Sequence, residues 1–302
     1  MPGLAIRPAE SRDVDAAGEL NFVAFYRTAI EHGVPPVVTT PAESRRYIRH
    51  LLDFDPLGGL VAEEDGDIVG VAWLHPRGAV ATIGPVAVDP RAQGRGIGRR
   101  LVERLVDLAG RSVAQIRLVQ ECYNTASLGL YLRTGFRVVA PLLDLELPPA
   151  VTVGPPRVPP GLVLRAATAE DRARIAARDA RAFGAQRTQS IDLYLGRGRV
   201  LVAEAGSALV GYAMGIGFES MAFLGSASAD EAETLHLLLA ALAAELAAPG
   251  RTLRTLVPAV DRRLVDALLA GGFRVFRACH YMVRGGGTAP PPNYVLMNGD
   301  MM

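Results

Sequence analysis

The two halves of the chain repeat one another, and this internal repeat limits the folds open to it. Gly-Leu-Val-Ala-Glu at 59–63 returns as Val-Leu-Val-Ala-Glu at 200–204, and Ile-Val-Gly-Val-Ala at 68–72 returns as Leu-Val-Gly-Tyr-Ala at 209–213. Gly-Phe-Arg-Val at 135–138 returns at 272–275. Three matches in the same order indicate one domain of roughly 140 residues that occurs twice, a period longer than that of solenoid repeats.

A proline-rich segment separates the repeats. Six prolines between Leu147 and Gly161 oppose a helix and favour an extended spacer. We therefore predict a first domain at 1–147, a linker at 148–160, a second domain at 161–284 and a C-terminal tail at 285–302. The tail begins with three glycines and ends in a short apolar segment, so packing against the domain and disorder both stay open.

Charge and cysteine content limit the kinds of partner that this protein is expected to bind and the compartment in which it is expected to occur. The 302 residues include 32 Lys and Arg against 31 Asp and Glu, so no net basic field favours nucleic acid. The two cysteines, Cys122 and Cys279, lack the spacing of a zinc or disulfide framework, and no histidine set has metal-ligand spacing. The N-terminus does not resemble a signal peptide, and the apolar stretch Leu235–Ala248 is too short to span a bilayer. These features predict a cytoplasmic protein without a membrane span or a metal.

Strand and helix patterns alternate after an opening pair of helices. In the first half, helices are predicted near 13–32, 41–54, 94–109 and 125–133, and strands near 4–7, 60–64, 68–75, 80–88, 113–121 and 136–146. Such alternation predicts an α/β domain with a mixed sheet.

A glycine-rich turn between a strand and a helix carries the clearest chemical signal. Val-Ala-Val at 86–88 is followed by Asp-Pro-Arg-Ala-Gln and then by Gly94, Gly96 and Gly98 at the helix start. Glycines let the backbone approach a ligand, and the free N–H groups of a helix N-terminus attract anions. Arginines at 91, 95, 99 and 100 add positive charge. The segment therefore predicts a site for a phosphate-bearing ligand.

Two familiar phosphate motifs do not fit this turn. A dinucleotide fingerprint follows the first strand of a βαβ unit and has an acidic residue ~20 residues later on a second strand. Here the glycines follow a hairpin, and the next strand ends in Gln-Glu-Cys-Tyr-Asn at 120–124. No Gly-Lys-Ser/Thr of a P-loop occurs. An oxidoreductase that binds a dinucleotide is therefore disfavoured.

The turn instead resembles the cofactor motif of the Gcn5-related N-acetyltransferase (GNAT) family. Arg91-Ala-Gln-Gly-Arg-Gly96 after Val-Ala-Val matches the pattern Gln/Arg-x-x-Gly-x-Gly/Ala. A second family motif spans Asn124 to Phe136 and contains Tyr131 and Gly135. The resemblance covers about residues 4–147. It implies two tandem GNAT-like domains and transfer of an acetyl or other acyl group from acetyl-CoA to an amine.

The resemblance also assigns roles to residues of the first half. It implies that backbone groups of Val86, Ala87 and Val88 pair with the pantetheine arm, and that a backbone N–H near Val88 polarises the thioester carbonyl. It implies that the pyrophosphate is held by amides of one continuous run, namely Gln93, Gly94, Arg95, Gly96, Ile97, Gly98 and Arg99. Asn124 would bind the pantetheine or the adenosine-diphosphate portion of the coenzyme.

Tyr131 is the candidate general acid toward the departing thiolate. A free phenol titrates near ~10, close to a thiolate, so the proton transfer is nearly matched. Tyr131 is also placed to pack beside Gly135 and Phe136. The general base stays open among Glu63, Glu64 and Glu121, of which Glu121 is our candidate because its strand ends near the predicted cleft. Cys122 could in principle accept the acyl group, but no histidine partner is evident, and packing is preferred.

The second half lacks the features that predict a cofactor site. Its counterpart of the glycine turn lies near 223–233 and carries Asp230, Glu231 and Glu233, which would repel a pyrophosphate. Aligning the two Gly-Phe pairs puts Asp261 where Asn124 stands and Leu268 where Tyr131 stands. We expect this domain to keep the fold without binding coenzyme A, and to shape the amine pocket or form a homodimer contact. A small molecule or a peptide is the expected acceptor, and a non-catalytic protein that senses acyl-CoA is the alternative function.

Overall fold

The computed structural model describes residues 3–296 and confirms the mixed α/β fold. Contacts group these residues into two compact units. The first contains residues 3–137 and 282–287, and the second contains residues 138–281 and 288–296. This grouping differs from the predicted boundaries at both ends of the second half. The boundaries 1–147, 148–160, 161–284 and 285–302 remain predictions about the duplicated segments.

The first unit has a sheet in which consecutive strands are neighbours. Its strands are β1 (Leu4–Pro8), β2 (Gly59–Glu64), β3 (Asp67–Arg77), β4 (Val80–Val88) and β5 (Gln115–Glu121). Its helices are α1 (Val14–Glu31), α2 (Pro41–Phe54), α3 (Ile97–Ala109) and α4 (Thr125–Arg133). The strands pair antiparallel except β4 and β5, which are parallel because α3 crosses between them.

Helices cover both faces of this sheet. One core contains the apolar face of α3, with Leu101 and Leu105 fully buried against strand residues such as Ala72. The other core contains α1 and α2 packed on Val61 and Trp73. Each fully buried leucine contributes about 2 kcal/mol of transfer free energy. Both faces are therefore apolar, as the near-continuous hydrophobic strands of the sequence indicate.

The second unit repeats this order. Its strands are β6 (Arg137–Leu147), β7 (Leu162–Ala166), β8 (Arg199–Ala205), β9 (Ala208–Gly217), β10 (Met221–Ala229), β11 (Thr252–Pro258), β12 (Arg274–Gly285) and β13 (Tyr294–Val295). Its helices are α5 (Arg172–Phe183), α6 (Thr188–Arg197), α7 (Ala232–Leu246) and α8 (Arg262–Ala270). Strands β7 to β11 are neighbours in chain order, and β10 and β11 are parallel.

Strands β6 and β12 explain why the units depart from the predicted boundaries. Strand β6 was predicted as the last strand of the first domain, but it pairs antiparallel with β11, from Leu253↔Leu147 to Pro258↔Leu142. The last residues of β12, from Met282, belong to the first unit, where β12 neighbours β5. The side chain of Gln115 donates to the carbonyl of Gly286 there. A repeat in the sequence shows that β6 and β12 are equivalent strands, but it does not show in which unit each strand pairs.

An ion cluster occurs at the same place in each unit. Arg7 lies 2.7 Å from Asp13 and 2.8 Å from Glu63. In the second unit, Arg165 lies 2.6 Å from Asp171 and 2.9 Å from Glu204. In each case the aspartate also accepts from the backbone N–H three residues earlier, which orders the turn before α1 or α5. The two halves of the chain therefore share this ion cluster as well as the repeated sequence.

Most predicted elements of the first half are confirmed. The second helix, the strand at 80–88 and the helix at 125–133 have their predicted bounds, whereas the helix after the glycine turn begins at Ile97 rather than Gly94. No helix or strand occupies residues 148–160. The tail packs back at Tyr294–Leu296, which are buried. Residues 297–302 of the predicted tail lie outside the described part of the chain.

Candidate active site

Strands β4 and β5 diverge and leave one edge of β4 open. They pair only where Val80–Thr82 faces Gln115–Arg117. Six further residues of β4, Ile83–Val88, continue beyond this ladder, and Ile83 and Val86–Val88 among them pair with β3 on the other side. Within residues 3–296, no strand pairs with Val86–Val88 on the β5 side. An extended ligand can therefore pair with this edge in the way that a strand would.

A bulge in β4 lies just before the open edge. Ala72 pairs with Val86 and Leu74 pairs with Ile83, so Trp73 faces two residues, Gly84 and Pro85. The bulge turns the backbone and alters which groups of β4 face the opening. It therefore determines the orientation of the predicted pantetheine-binding residues.

Buried polar groups hold this bulge. Nε2 of His75 lies 2.8 Å from the carbonyl oxygen of Gly84, and its Nδ1 lies 2.6 Å from Asp55. Arg77 donates two hydrogen bonds of 2.8 Å to the same carboxylate. Burial alone would raise the pKa of Asp55, but the hydrogen bonds from His75 and Arg77 outweigh it and hold that pKa below its ordinary value. The sequence analysis assigned no role to His75, and Asp55 is 20 residues away in the chain.

The glycine turn forms an uncapped helix N-terminus. Gly94 and Gly96 have φ of +76° and +78°, a left-handed conformation that side chains disfavour, and a Cβ at either would meet nothing within 4 Å. The first hydrogen bond into α3 runs from the N–H of Arg100 to the carbonyl of Gly96, 3.1 Å. No side chain caps α3, so the N–H groups of its first turn are available to an anion.

Gly98, the third glycine of the predicted turn, lies near α4 and β4. A Cβ there would lie 3.4 Å from Leu130 and 3.5 Å from Val88. Both distances are ordinary van der Waals contacts, so the backbone of Gly98 lies beside α4 and β4 with room for a small side chain. Ile97, which precedes it, is buried in the core beneath α3. The side chain of Ile97 therefore faces the protein, while the backbone N–H groups of Ile97 and Gly98 belong to the first turn of α3.

Carboxylates already pair with three of the four arginines around the turn. Arg91 lies 2.7 Å from Asp89, Arg95 lies 2.6 Å from Glu64, and Arg99 lies 2.7 Å from Glu103. Arg100 has no carboxylate within 4.0 Å in the described part of the chain. The hydrogen bond from Arg95 also lowers the pKa of Glu64. The predicted positive field around the turn is thus partly neutralised.

Side chains of the turn also contact the open strand. The side-chain amide of Gln93 donates to the carbonyl oxygen of Val88 at 3.2 Å. Val86 and Val88 are half-buried and Ala87 is buried. The predicted strand and turn therefore meet in one place. A small surface pocket lies next to Gln93 and is lined by Arg27, Thr28, Glu31 and Pro90.

The β5–α4 corner brings together Glu121 and Asn124. The hydroxyl of Tyr123 donates to the Glu121 carboxylate, and its ring lies 5.3 Å from that of His32 at the end of α1. Asn124 caps α4, because its side-chain oxygen accepts from the N–H of Ser127 at 3.0 Å. Asn124 therefore has a structural task besides the cofactor contact that the family resemblance implies.

Gln120 holds this corner and was missed by the sequence analysis. Its side chain is buried and its amide donates to the carbonyl oxygen of Asn124 at 2.8 Å and to the hydroxyl of Ser127 at 3.1 Å. A buried glutamine at a strand end is a detectable signal, because buried amides need hydrogen-bond partners. Its bonds fix the loop that carries the candidate base and the candidate coenzyme contact.

Tyr131 packs in the core of the first unit. It is 8% exposed, and its ring lies 5.8 Å from Phe136 in an edge-to-face arrangement. It stands two turns after Asn124 on the same helix. The packing beside Phe136 that the sequence suggested is therefore present.

The other candidate groups have structural partners. Glu63 and Glu64, the alternative bases, are paired with Arg7 and Arg95. Burial raises the pKa of Cys122, which disfavours the thiolate that an acyl-cysteine route needs. Within residues 3–296, no group of three or more His, Cys, Asp or Glu could hold a metal ion. No helix of that part of the chain is both long enough and apolar enough to cross a membrane.

The second unit has different residues at the corresponding places. Asp230 follows β10 and lies 2.8 Å from Arg178, and Glu233 is in the first turn of α7. Asp261 caps α8 as Asn124 caps α4, by accepting from the N–H of Leu264. Leu268, the counterpart of Tyr131, is buried and has no group that could donate a proton.

Comparison with known proteins agrees with this geometry. The acetyltransferase (GNAT) family profile matches residues 27–136, and an acetyltransferase (GNAT) domain profile matches residues 175–296. The chain belongs to the GNAT family. Both tandem GNAT domains predicted from the repeat are thereby confirmed, and the second match reaches Leu296 in the C-terminal segment.

Curated relatives of this GNAT chain include mycothiol acetyltransferases. The one from Cellulomonas flavigena is 33% identical over 162 residues, which is 49% of this chain and 45% of the relative. The one from Clavibacter michiganensis is 37% identical over 150 residues, 46% of this chain and 45% of the relative. The matched part thus spans less than half the length of these relatives.

Solved GNAT structures share the fold over nearly the whole chain. A putative acetyltransferase from Pyrococcus horikoshii aligns with a TM-score of 0.77 at 21% identity and covers 99% of this chain and 96% of its own. A tandem GNAT protein from the clavulanic acid biosynthesis pathway aligns with a TM-score of 0.64 at 20% identity, covering 95% and 99%. At such identities the likeness establishes the fold and nothing about the substrate.

Proposed function

We propose that the first unit transfers an acetyl group from acetyl-CoA to the amine of a small molecule or peptide. The observation that carries this proposal is the open edge of β4 at Val86–Val88 next to the uncapped N-terminus of α3. The edge offers an extended arm hydrogen-bond partners, and the helix start offers N–H groups to a pyrophosphate. A ligand with both parts and a reactive thioester is an acyl-CoA.

Backbone groups bind and orient the donor in this proposal. Val86, Ala87 and Val88 pair with the pantetheine arm, and N–H groups from Gln93 to Arg99 hold the pyrophosphate. A backbone N–H near Val88 polarises the thioester carbonyl, so that negative charge on its oxygen is stabilised as the amine attacks. The hydrogen bond from His75 to Gly84 keeps the bulge, and hence these groups, in place.

Two side chains move protons. The substrate amine must be neutral to attack, and Glu121 accepts its proton directly or through water. The carbon–nitrogen bond forms, the carbon–sulfur bond breaks, and the departing thiolate takes a proton from Tyr131. The proton that the attacking nitrogen then loses restores the Tyr131 phenol. The Tyr123 hydroxyl donates to Glu121, and the Tyr123 ring lies 5.3 Å from that of His32 at the end of α1, the helix that contributes Arg27 and Glu31 to the small pocket. That pocket is the proposed place for the acceptor.

The acceptor identity is open, and the relatives suggest where to begin. Because the curated relatives are named for mycothiol acetylation, thiol-containing amines related to mycothiol head the panel of acceptors, followed by amino acids and peptides. The test measures thiol release from acetyl-CoA with each amine, alongside coenzyme A binding by calorimetry. Release above the rate without amine supports transferase activity. Binding without release for every amine would favour the alternative, a protein that senses acyl-CoA, and absence of binding would reject both.

A further inference from the structure

The C-terminal strand β13 lies against the second unit's counterpart of the open edge. Gly70 of β3 matches Gly211 of β9 in the repeat, and they pair with Val88 and Ala229, respectively. The backbone N–H of Asp89 donates to the carbonyl of Val69 at 3.0 Å, and that of Asp230 donates to the carbonyl of Val210 at 2.9 Å. These bonds support the same alignment of the two units. Val86, Ala87 and Val88 therefore correspond to Ala227, Ser228 and Ala229.

These three residues are already paired in the second unit. Strands β10 and β11 pair only from Met221–Leu224 against Thr252–Thr255 and then diverge, as β4 and β5 do. Strand β13 enters this opening, pairing Val295 with Ala227 and Tyr294 with Ser228. On its other side, Leu296 donates from its N–H to the carbonyl of Leu256 at 3.1 Å. The chain's own segment thus bridges the two diverging strands.

Asn293 makes the contacts that the first unit offers to a cofactor. Its carbonyl accepts from the N–H of Ala229 at 3.2 Å, and Ala229 corresponds to Val88. Its own N–H donates to Asp261 at 3.1 Å, and Asp261 corresponds to Asn124. At this position an aspartate accepts a backbone N–H, which the side-chain amide of an asparagine could not do as strongly.

The side chains of β13 are integrated into the interior of the second unit. Tyr294, Val295 and Leu296 are 4%, 0% and 2% exposed. The Tyr294 hydroxyl accepts a 2.9 Å hydrogen bond from Arg187, which is fully buried and paired with Asp179 at 2.7 Å. Removing the strand would uncover this ion pair and the apolar groups around it, which is costly.

We propose that residues Asn293–Leu296 occupy, in the second unit, the place that the pantetheine arm of the acyl donor takes in the first. The second unit is a binding cleft filled permanently by its own chain, and it admits no coenzyme A. This inference rests on the proposed function for the location of the arm in the first unit. It also explains how the second domain stabilises the opening between β10 and β11 without a ligand.

Hydrogen–deuterium exchange of the full-length protein, with and without excess coenzyme A, tests the proposal directly. We expect coenzyme A to slow exchange in β4 and at the start of α3, and to leave exchange in β10 and β11 unchanged. Slower exchange in β10 on adding coenzyme A would overturn the proposal. If β4 and α3 do not respond, the proposed function fails, while the β10 measurement on the truncated chains below still judges the role of β13.

Two truncations provide a matched comparison. A chain ending at Leu296 keeps β13 and should match the full-length exchange pattern. A chain ending at Pro292 lacks β13, and exchange at Ala227–Ala229 should become at least about tenfold faster because their partners are gone. If that chain does not fold, Val295→Ala should accelerate exchange in β10 and leave β4 unaffected. Unchanged β10 exchange in both the Pro292 truncation and Val295→Ala would refute the proposal.

Discussion

Nδ1 of His75 lies 2.6 Å from the carboxylate of Asp55, and the other nitrogen of the same ring reaches the carbonyl of Gly84 in the bulge of β4. A buried polar chain therefore extends from the residue after α2 to the strand that is proposed to bind the acyl donor. Stability and cofactor affinity should both depend on it.

Replacing Asp55 by alanine should lower the free energy of unfolding by about 3–5 kcal/mol, because the guanidinium of Arg77 would be left buried without its carboxylate. The same change should raise the KM for acetyl-CoA through the loosened bulge. Urea unfolding and steady-state kinetics measure the two effects. Asp53→Ala, at an exposed position of the same helix, is the matched control and should change either quantity little. Equal effects of the two variants would contradict a special role of the buried chain.

Replacing Tyr131 by phenylalanine should lower kcat by about 10²–10⁴-fold if the hydroxyl protonates the thiolate. Because phenylalanine keeps the ring against Phe136, the free energy of unfolding should change by less than about 1.5 kcal/mol. Single-turnover thiol release and urea unfolding separate the effects. Tyr26→Phe, at an exposed position of α1, serves as the control. Unchanged kcat in Tyr131→Phe would remove Tyr131 from the mechanism.

Replacing Gly96 by alanine should weaken acetyl-CoA binding, because a Cβ at φ +78° costs about 1–2 kcal/mol and the turn would relax away from its anion-binding shape. Gly78→Ala is the control, since Gly78 also has a left-handed φ, +63°, and open space, but lies in the turn between β3 and β4. Both variants should lose similar stability, and only Gly96→Ala should raise the Kd for coenzyme A. A similar Kd in both would argue against the turn as the phosphate site.

Acid should destabilise the protein through the two duplicated ion clusters. The hydrogen bonds from Arg165 hold the pKa of Asp171 well below its usual range, and those from Arg7 lower the pKa of Asp13. A carboxyl with a depressed folded-state pKa stabilises the fold above its unfolded pKa of about 3.9, and this contribution declines as the pH falls toward the folded pKa. The stability gap between the wild type and Asp171→Asn should therefore narrow from pH 5 to pH 3. Asp266→Asn, at an exposed ion pair, should show a small gap throughout.

Cys122 should react slowly with iodoacetamide near pH 8, because burial raises its thiol pKa and keeps the thiolate scarce. Cys122→Ser should retain turnover within about twofold, as expected when no acyl-cysteine forms. Mass spectrometry of the protein during turnover gives a second check. An acetyl group on Cys122 would support the covalent route instead.

The parts of the site that are local in the chain could be predicted from the sequence. The glycine turn and the strand before it are contiguous, so residue types alone indicated an uncapped helix start, and only the onset of α3 moved, to Ile97. Contacts between distant residues could not be predicted in this way. The bulge in β4 brings Gly84 to His75, which contacts Asp55. The spacing of these three residues in the sequence does not predict the bulge.

Two other features could not be predicted from sequence patterns, because they also depend on contacts between distant residues. The position of Gly98 beside Leu130 depends on how α3 and α4 pack, and the sequence of α3 alone does not indicate it. The tail residues Tyr294–Leu296 form too short an apolar run to distinguish a buried strand from a disordered end. Their place follows from the divergence of β10 and β11, which is a property of the sheet.

The short piece of β12 from Met282 onward has a consequence for shortened forms of the chain. A deletion of the second copy would also remove the strand beside β5, and a stop codon in the proline-rich segment would leave β6 without β11. Each unit therefore needs a strand that lies outside its own repeat. Shortened forms should be cut according to these strands and not according to the repeat boundaries.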